Sequence, residues 1–272
     1  MGRDELPFGR RGELPELSYF GMQASWGVTK HMGGPGATQE LAELCRVAAD
    51  TLVLEVGSGA GETAVRLAET YECCLVGIDV APGMLRWARA RALRRDIAKP
   101  PTFVVADAQA LPFQDGCFDA VLCESVTAFV PDKSLAVSEY ARVVREDGRV
   151  GLNEGTWLQP PSEEVSSYAT RAMGGATFLP AQGWRALLER AGLADIVVAT
   201  RGISAVRQRM DEIRGIGLAD LGERLRALRH FMSLCLHSPA FRQYAKGLLP
   251  SRRVMRDLFR QLGLGLYVGH RA

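Results

Sequence analysis

Residues 53–61 read Val-Leu-Glu-Val-Gly-Ser-Gly-Ala-Gly, and Glu62-Thr63-Ala64 follow directly. The apolar run predicts a buried strand, the glycines predict a tight turn, and the residues after them predict the start of a helix. Glycine lets the backbone turn sharply and approach a ligand closely, and a helix N-terminus presents free N–H groups to an anion. The stretch therefore predicts a strand, turn and helix that together bind a nucleotide-type ligand.

The spacing of the glycines narrows the choice of ligand. The dinucleotide fingerprint G-x-G-x-x-G would require glycine at position 62, where this chain has Glu62. A carboxylate there would repel a pyrophosphate, and Glu55 places a further carboxylate at the end of the strand, where it would attract a cation. The pattern indicates a ligand that carries both a carboxylate and a positive charge.

Three later apolar runs also end in acidic residues. Asp79 ends the run 75–79, about 20 residues after the glycine turn, where an acid can hold ribose hydroxyls. The run 103–106 is followed by Asp107 and Ala108, and the run 118–123 is followed by Glu124. Four separate signals in this order carry more weight than any one of them, since an acid after a strand is often only a helix cap.

Together these motifs resemble the class I S-adenosylmethionine-dependent methyltransferases, with residues 55–61 as their motif I. Over roughly residues 35–200 the chain is most similar to small-molecule methyltransferases of the ubiquinone/menaquinone and sarcosine type. The resemblance implies S-adenosylmethionine as cofactor and no metal. It implies a cofactor site made of Glu55, Gly57, Ser58, Gly59, Gly61, Asp79, Val80, Met84, Asp107, Ala108, Glu124 and Ser125.

Alternating apolar strands and amphipathic helices predict an α/β fold with a doubly wound, Rossmann-like sheet of seven mostly parallel strands. Helices are predicted near 37–49, 62–71, 82–95, 133–146, 163–173 and 181–191, and strands near 52–56, 74–79, 102–106, 118–123, 149–154, 194–200 and 264–270. We expect an N-terminal lid segment at 1–36, a cofactor-binding core at 37–200, a helical cap inserted at 201–262, and the last strand of the sheet at 263–272.

Candidate catalytic and acceptor-binding residues lie outside the glycine motif. A hydroxyl, acidic carbon or amine acceptor needs a base to remove its proton, and His31, Glu154 and Tyr19 are the candidates. Glu154 follows the fifth predicted strand, at the edge where open α/β sheets bind ligands. Packing on the sheet edge and capping of a turn are the structural alternatives for these segments. The predicted substrate-binding residues are Trp26, Met32 and Trp157.

Composition agrees with a globular enzyme of 272 residues and net charge +2. No stretch is apolar enough to span a bilayer, and the start of the chain lacks the apolar core of a signal peptide, so a cytoplasmic protein is expected. The six cysteines show neither metal-type pairing nor a disulfide pattern. A vicinal thiol site at Cys73-Cys74 is the alternative to buried structural cysteines.

The expected partner is a small-molecule acceptor, whose identity and methylated atom do not follow from the residues. The basic character of 201–262 leaves an acidic metabolite, a membrane surface or RNA as alternative ligands of this segment, and an oligomer could form through this cap. No DNA is expected, because residues 123–127 lack the Asn/Asp-Pro-Pro-aromatic motif of many methyltransferases that act on bases. An RNA methyltransferase and a non-catalytic cofactor-binding protein are the competing hypotheses.

Overall fold

The computed structural model describes Tyr19, Phe20, Gln23 and residues 31–202 and 218–272. Within residues 31–202 and 218–272 there are nine α-helices and one 3-10 helix, Thr127–Phe129. The α-helices are α1 (Gly34–Leu44), α2 (Glu62–Tyr71), α3 (Pro82–Ala92), α4 (Lys133–Val143), α5 (Glu163–Ala172), α6 (Ala181–Arg190), α7 (Leu218–His237), α8 (Pro239–Gly247) and α9 (Arg252–Gln261). The strands are β1 (Leu52–Val56), β2 (Cys74–Asp79), β3 (Thr102–Val105), β4 (Phe118–Glu124), β5 (Val144–Trp157), β6 (Leu179–Pro180), β7 (Leu193–Gly202) and β8 (Leu262–Arg271).

All the strands belong to one sheet in the order β3-β2-β1-β4-β5-β8-β7, and β6 pairs with the end of β5. The strands from β3 to β5 are parallel, whereas β8 runs antiparallel to both β5 and β7. Strands β2 and β3 are added on one side of β1, and β4 and the later strands are added on its other side. This switch in the direction of strand addition opens a crevice at the carboxyl ends of β1 and β4. The predicted mostly parallel, doubly wound α/β sheet is confirmed.

Apolar side chains cover both faces of the sheet. On one face Tyr140, Trp184 and Leu188 pack against strand residues including Leu54 and Val121. On the other face helices α1, α2 and α3 pack against strand residues that include Val53 and Leu122. Parallel strands buried on both faces lack a clear alternation of polar and apolar residues, as seen in the apolar runs of β1 and β4.

The bounds of several helices and strands differ from those predicted from the sequence. Helix α1 begins at Gly34, three residues early, because Pro35 suits a first helical turn and Gly33 precedes it with a φ of 78°. Helix α4 ends at Val143, since Val144 already pairs with Phe118 in β5. The two-residue strand β6 was not predicted. The described residues between β7 and β8 hold α7, α8 and α9, and the division into lid, core and cap stays a prediction.

Candidate active site

A cavity of about 630 Å³ lies at the carboxyl ends of β1, β2 and β4, the edge of the sheet where the strand order reverses. It brings together residues that are up to 112 positions apart in the chain, from Tyr19 to Pro131. The lining includes these residues of the predicted site: Tyr19, His31, Glu55, Gly57, Ser58, Gly59, Asp79, Val80, Met84, Asp107, Ala108, Glu124 and Ser125.

The glycine turn forms the floor of this cavity. Gly57 has a φ of 73°, and a Cβ atom on it would lie 2.2 Å from a methyl group of Val126. The next residue, Ser58, is buried and donates its N–H to the carbonyl of Ile78 at 2.8 Å. The turn is therefore fixed against β2 on one side and against the loop after β4 on the other.

Gly61 lies just outside the cavity wall. Its φ is 76°, and a Cβ atom there would come within 2.7 Å of the Cβ of Ala88 in α3. Gly61 is the N-cap of α2, so it determines how closely the start of α2 approaches α3. We infer that its contribution to a ligand site is to place the N-terminus of α2, with its free N–H groups, beside the cavity.

Asp79 combines a structural contact with a place in the cavity wall. One carboxylate oxygen accepts the N–H of Gly59 at 2.9 Å, and the other accepts the N–H of Ala81 at 2.8 Å. Burial raises the pKa of Asp79, and the two backbone hydrogen bonds oppose that rise. Each oxygen keeps a second lone pair, so this carboxylate can also accept hydrogen bonds from a ligand.

Glu55 is the most buried acid in the glycine motif, with 4% of its surface exposed. Burial, followed by the negative charge of Glu124, raises the pKa of Glu55 to about 8. Its Oε2 atom has no hydrogen-bond partner within the described structure. A buried acceptor without a partner, close to a second carboxylate, suits a ligand that brings a positive charge or an N–H donor.

Glu124 is the centre of a hydrogen-bond network at the end of β4. The hydroxyl of Thr38 lies 3.0 and 3.1 Å from its two oxygens, and the side-chain amide of Asn153 donates to Oε2 at 2.8 Å. The hydroxyl of Thr63 approaches Oε1 at 3.4 Å. His31 Nδ1 lies 3.4 Å from Oε2, and its Nε2 lies 3.3 Å from the Thr38 hydroxyl. The network holds the imidazole at the cavity wall.

Ser125 and Asn153 fasten the segment around Met32 to the sheet. The Ser125 hydroxyl accepts the Met32 N–H at 3.2 Å, and the Asn153 side chain donates to the Met32 carbonyl at 2.9 Å. The Met32 side chain instead belongs to the apolar clusters beside the cavity, close to Gly155. Its predicted contact with an acceptor stays a prediction.

Glu154 does not line the cavity, which corrects its assignment as a catalytic base. The side chain is fully buried, and its Oε1 accepts the N–H groups of Val126 at 3.1 Å and Thr127 at 2.7 Å. Burial raises the pKa of Glu154 to about 7, although the backbone hydrogen bonds act to lower it. The carboxylate therefore holds the loop after β4 in place, and an acceptor in the cavity cannot reach it.

Trp157 is likewise placed away from the cavity. Its ring packs edge-on against Phe178, with ring centroids 5.9 Å apart, in a cluster beneath α5 and α9. Trp157 is not among the residues that line the cavity, and its predicted contact with an acceptor stays a prediction. Trp26, the remaining predicted substrate-binding residue, lies outside the described residues.

Three aromatic side chains, Tyr19, Phe20 and Phe129, form an aromatic wall in the cavity lining, and of these the sequence interpretation missed Phe129. Phe129 stacks on Tyr19 at 5.7 Å between centroids and meets Phe20 edge-on at 5.1 Å. Val130 and Pro131 continue the apolar lining beside Phe129. The available signal was the sequence Val126-Thr-Ala-Phe-Val-Pro131, which follows directly after the acid that ends β4.

Within the described part of the chain, no cluster of His, Cys, Asp and Glu side chains has the arrangement of a metal site. The described helices likewise include none with the length and apolar character needed to cross a bilayer.

Residues 54–152 match the family model described as a methyltransferase domain. The chain is 33% identical over 125 residues to 27-O-demethylrifamycin SV methyltransferase of Amycolatopsis mediterranei, covering 46% of this chain and 45% of that protein. It is 32% identical to malonyl-[acyl-carrier protein] O-methyltransferase of Geobacter sulfurreducens, covering 54% and 57% respectively. The chain thus spans only about half the length of these curated relatives.

Solved structures share the fold over nearly the whole chain. A methyltransferase from Thiobacillus denitrificans in complex with S-adenosylhomocysteine superposes with a TM-score of 0.68 at 17% identity, covering 96% of this chain and all of that one. The match of residues 54–152 to the family model and the similarity to these relatives agree with the site geometry. Residues 54–152 therefore form a methyltransferase domain, and over this domain the chain is similar to S-adenosylmethionine-dependent methyltransferases.

Proposed function

We propose that the protein transfers the methyl group of S-adenosylmethionine to a small-molecule acceptor. The observation that carries this proposal is the meeting of three carboxylates, from Glu55, Asp79 and Glu124, with the glycine turn in one cavity. The cofactor has an ammonium, a sulfonium, a carboxylate and a ribose, and each has a complementary group in this set. Small-molecule acceptors are also those named for several relatives, which include a rifamycin.

The residues present fit the cofactor. Glu55 and Glu124 would balance the positive groups, because Glu55 presents a buried oxygen without a partner and Glu124 carries a charge beside it. The start of α2 would take the carboxylate. Asp79 would accept the ribose hydroxyls, and Asp107 with the neighbouring apolar lining would hold the adenine. When bound, S-adenosylmethionine supplies an electrophilic methyl group.

The protein's own contribution to the reaction is orientation, exclusion of water and proton transfer. Tyr19, Phe20 and Phe129 would exclude water from one side of the acceptor. His31 is the residue in the cavity wall best placed to accept a proton, because Glu124 and Thr38 hold its ring. Burial raises the pKa of the Tyr19 hydroxyl, so Tyr19 fits a hydrogen-bond donor better than a base.

Calorimetric titration with S-adenosylmethionine and S-adenosylhomocysteine tests the proposal, with NADH as the negative ligand. We expect micromolar binding of both sulfur ligands and none of NADH. Asp79→Ala should weaken binding at least about tenfold, since it removes both a ligand acceptor and the hydrogen bond that fixes Gly59. Asp50→Ala is the matched control, because the Asp50 side chain is fully exposed to solvent. Absence of binding to either sulfur ligand would refute the proposal.

The RNA alternative has no support among the relatives described above, which are named for a rifamycin and a malonyl-carrier substrate. An electrophoretic shift assay with structured RNA at low salt would test it, because a basic surface binds nucleic acid most strongly there. We expect no shift.

A further inference from the structure

The described lining of the cavity is acidic. Its one guanidinium belongs to Arg66, and that group lies 3.9 Å from the carboxylate of Glu62 on the same helix. A cofactor with two positive groups and a carboxylate would neutralise only part of this negative charge. Because like charges at close range in a partly buried cavity repel strongly, a second, anionic ligand would bind poorly. The acidic residues in the lining are Glu55, Glu62, Asp79, Asp107 and Glu124, and of these Glu55 is mostly protonated at neutral pH because its pKa is raised to about 8.

The part of the lining without carboxylates is aromatic and apolar. The rings of Tyr19 and Phe129 are stacked and nearly parallel, with an interplanar angle of 26°, and Phe20 meets Phe129 edge-on at 69°. Val126 and Val130 add aliphatic side chains to the same lining. Such a surface favours a ring-shaped or extended apolar molecule, because stacking and burial both stabilise it.

The loop that carries Phe129 is held in place before any ligand binds. Glu154 accepts two of its N–H groups, as described above, and Lys133 donates from its Nζ to the carbonyls of Ala128 and Val130, each at 3.0 Å. The N–H of Thr177 also donates to the Ala128 carbonyl at 2.9 Å. Contacts from three separate elements fix this loop, so the position of Phe129 in the aromatic wall is determined by the protein's own hydrogen bonds.

We infer that the methyl acceptor is a lipophilic, ring-bearing molecule without a phosphate or carboxylate group, and that it lies against the wall of Tyr19, Phe20 and Phe129. This inference rests on the proposed methyl transfer, because it assigns the space beside the cofactor to the acceptor. It follows that acceptors with the same ring system are selected by their charge.

Binding of three matched probes, 2-naphthol, 2-naphthoate and 2-naphthyl phosphate, to the S-adenosylhomocysteine complex at neutral pH tests the inference. The probes share a ring system and differ in charge. We expect 2-naphthol to bind at least about tenfold more tightly than either anion. Phe129→Leu should weaken 2-naphthol binding by about threefold to tenfold, because an aromatic contact is lost. Phe259→Leu, on the outer surface of α9, is the matched control and should change nothing.

A variant that removes one negative charge from the cavity tests whether charge, rather than the shape of the cavity, selects between the probes. Glu62→Gln removes the carboxylate beside Arg66, so the preference for 2-naphthol over 2-naphthoate should narrow by about threefold or more. An unchanged preference would overturn the electrostatic part of the argument.

The binding of S-adenosylhomocysteine is measured first on the same samples, which distinguishes the two proposals. If it fails, the methyltransferase function fails. If it succeeds and 2-naphthoate binds as tightly as 2-naphthol, or no naphthyl probe binds, or Phe129→Leu has no effect, the assignment of the acceptor class is overturned while the cofactor assignment stands.

Discussion

Replacing Gly57 with alanine would place a methyl group where the structure has no room for one. The added Cβ would lie 2.2 Å from Cγ2 and 2.9 Å from Cγ1 of Val126. Gly57 also has a φ of 73°, in the left-handed region that side chains disfavour. The substitution therefore perturbs the site in two independent ways, by backbone strain and by steric overlap.

The two contributions can be estimated separately. Left-handed backbone strain at a residue with a Cβ costs about 1–2 kcal/mol. Overpacking against a buried neighbour adds about 1–3 kcal/mol, because Val126 and the fixed loop must move. We expect Gly57→Ala to lower the free energy of unfolding by about 2–5 kcal/mol in total, which leaves a domain of ordinary stability folded.

Urea unfolding and calorimetric titration with S-adenosylhomocysteine measure the two consequences. Gly192→Ala is the control, because Gly192 has a φ of 82° and nothing lies within 4 Å of its Cβ position. In this control the free energy of unfolding should fall only by the cost of backbone strain, about 1–2 kcal/mol, and the affinity for S-adenosylhomocysteine should be unchanged. Gly57→Ala should lose more stability and at least about tenfold in affinity, because the displaced turn forms the cavity floor.

The double variant Gly57→Ala/Val126→Ala tests the steric cause directly. Shortening Val126 removes both methyl groups that overlap the new Cβ, so the double variant should recover most of the overpacking cost in a double-mutant cycle. If Gly57→Ala is no less stable than Gly192→Ala, or if the Val126 substitution adds its own cost without any coupling, the packing argument is refuted.

Three further outcomes are expected. Burial raises the pKa of Glu154 from 4.5 to about 7, so the folded protein binds this proton more tightly than the unfolded chain does. This contribution to stability is therefore lost as pH rises from about 4.5 through 7. Glu154→Gln should remove this part of the fall, on the order of 3 kcal/mol, when urea unfolding at pH 5 and pH 8 is compared with the wild type, while the fall due to Glu55, whose pKa is raised to about 8, should remain. Asn153→Ala breaks the hydrogen bonds to the Met32 carbonyl and to the Glu124 carboxylate, so proteolysis of the native protein near Met32 should accelerate several-fold, without a comparable change in global stability. A maleimide should label the exposed Cys74 and Cys117 in the native protein before it labels the buried thiols of Cys45, Cys73 and Cys123. Peptide mapping by mass spectrometry measures this order, and equal labelling of all sites would contradict the fold.

The elements of the first half of the sheet were predictable because their signals are local. The glycines of motif I, the acid that ends each strand and the spacing between them are all contained in short stretches of sequence. Since the carboxyl ends of parallel strands meet at one edge, these local signals also place Asp79, Asp107 and Glu124 around one cavity. The fold then follows from the regular alternation of strands and helices.

The bounds of β5 and the existence of β6 depend on pairing that no local stretch shows. Strand β5 begins at Val144, which pairs with Phe118 of β4, and extends to Trp157 because β8 pairs with it antiparallel from Arg149 to its end. The sequence signal covered only the apolar centre of this strand. Trp157 ends this extension and is not among the residues that line the cavity.

The sequence alone also does not show which of two neighbouring residues, Asn153 or Glu154, faces the network around Glu124. Successive side chains on a strand point to opposite faces of the sheet, so only one of the two can point toward the network around Glu124. An amphipathic strand would reveal which, but both faces of β5 are buried, and both residues are fully enclosed. The structure assigns the inward position to Asn153, which binds Glu124, and turns Glu154 toward Val126 and Thr127.

A buried carboxylate at position 154 has a physical rationale even though it does not touch the acceptor. A neutral amide oxygen could accept the same two N–H groups, but a charged acceptor makes shorter and stronger hydrogen bonds. That charge carries a desolvation cost, which appears as the raised pKa of Glu154. The loop gains rigidity at the point where Phe129 forms the aromatic wall, since Lys133 holds its carbonyls from the other side. The protein thus gives up stability at neutral pH to fix the surface on which we place the acceptor, and Glu154 acts through the loop as a positioning residue.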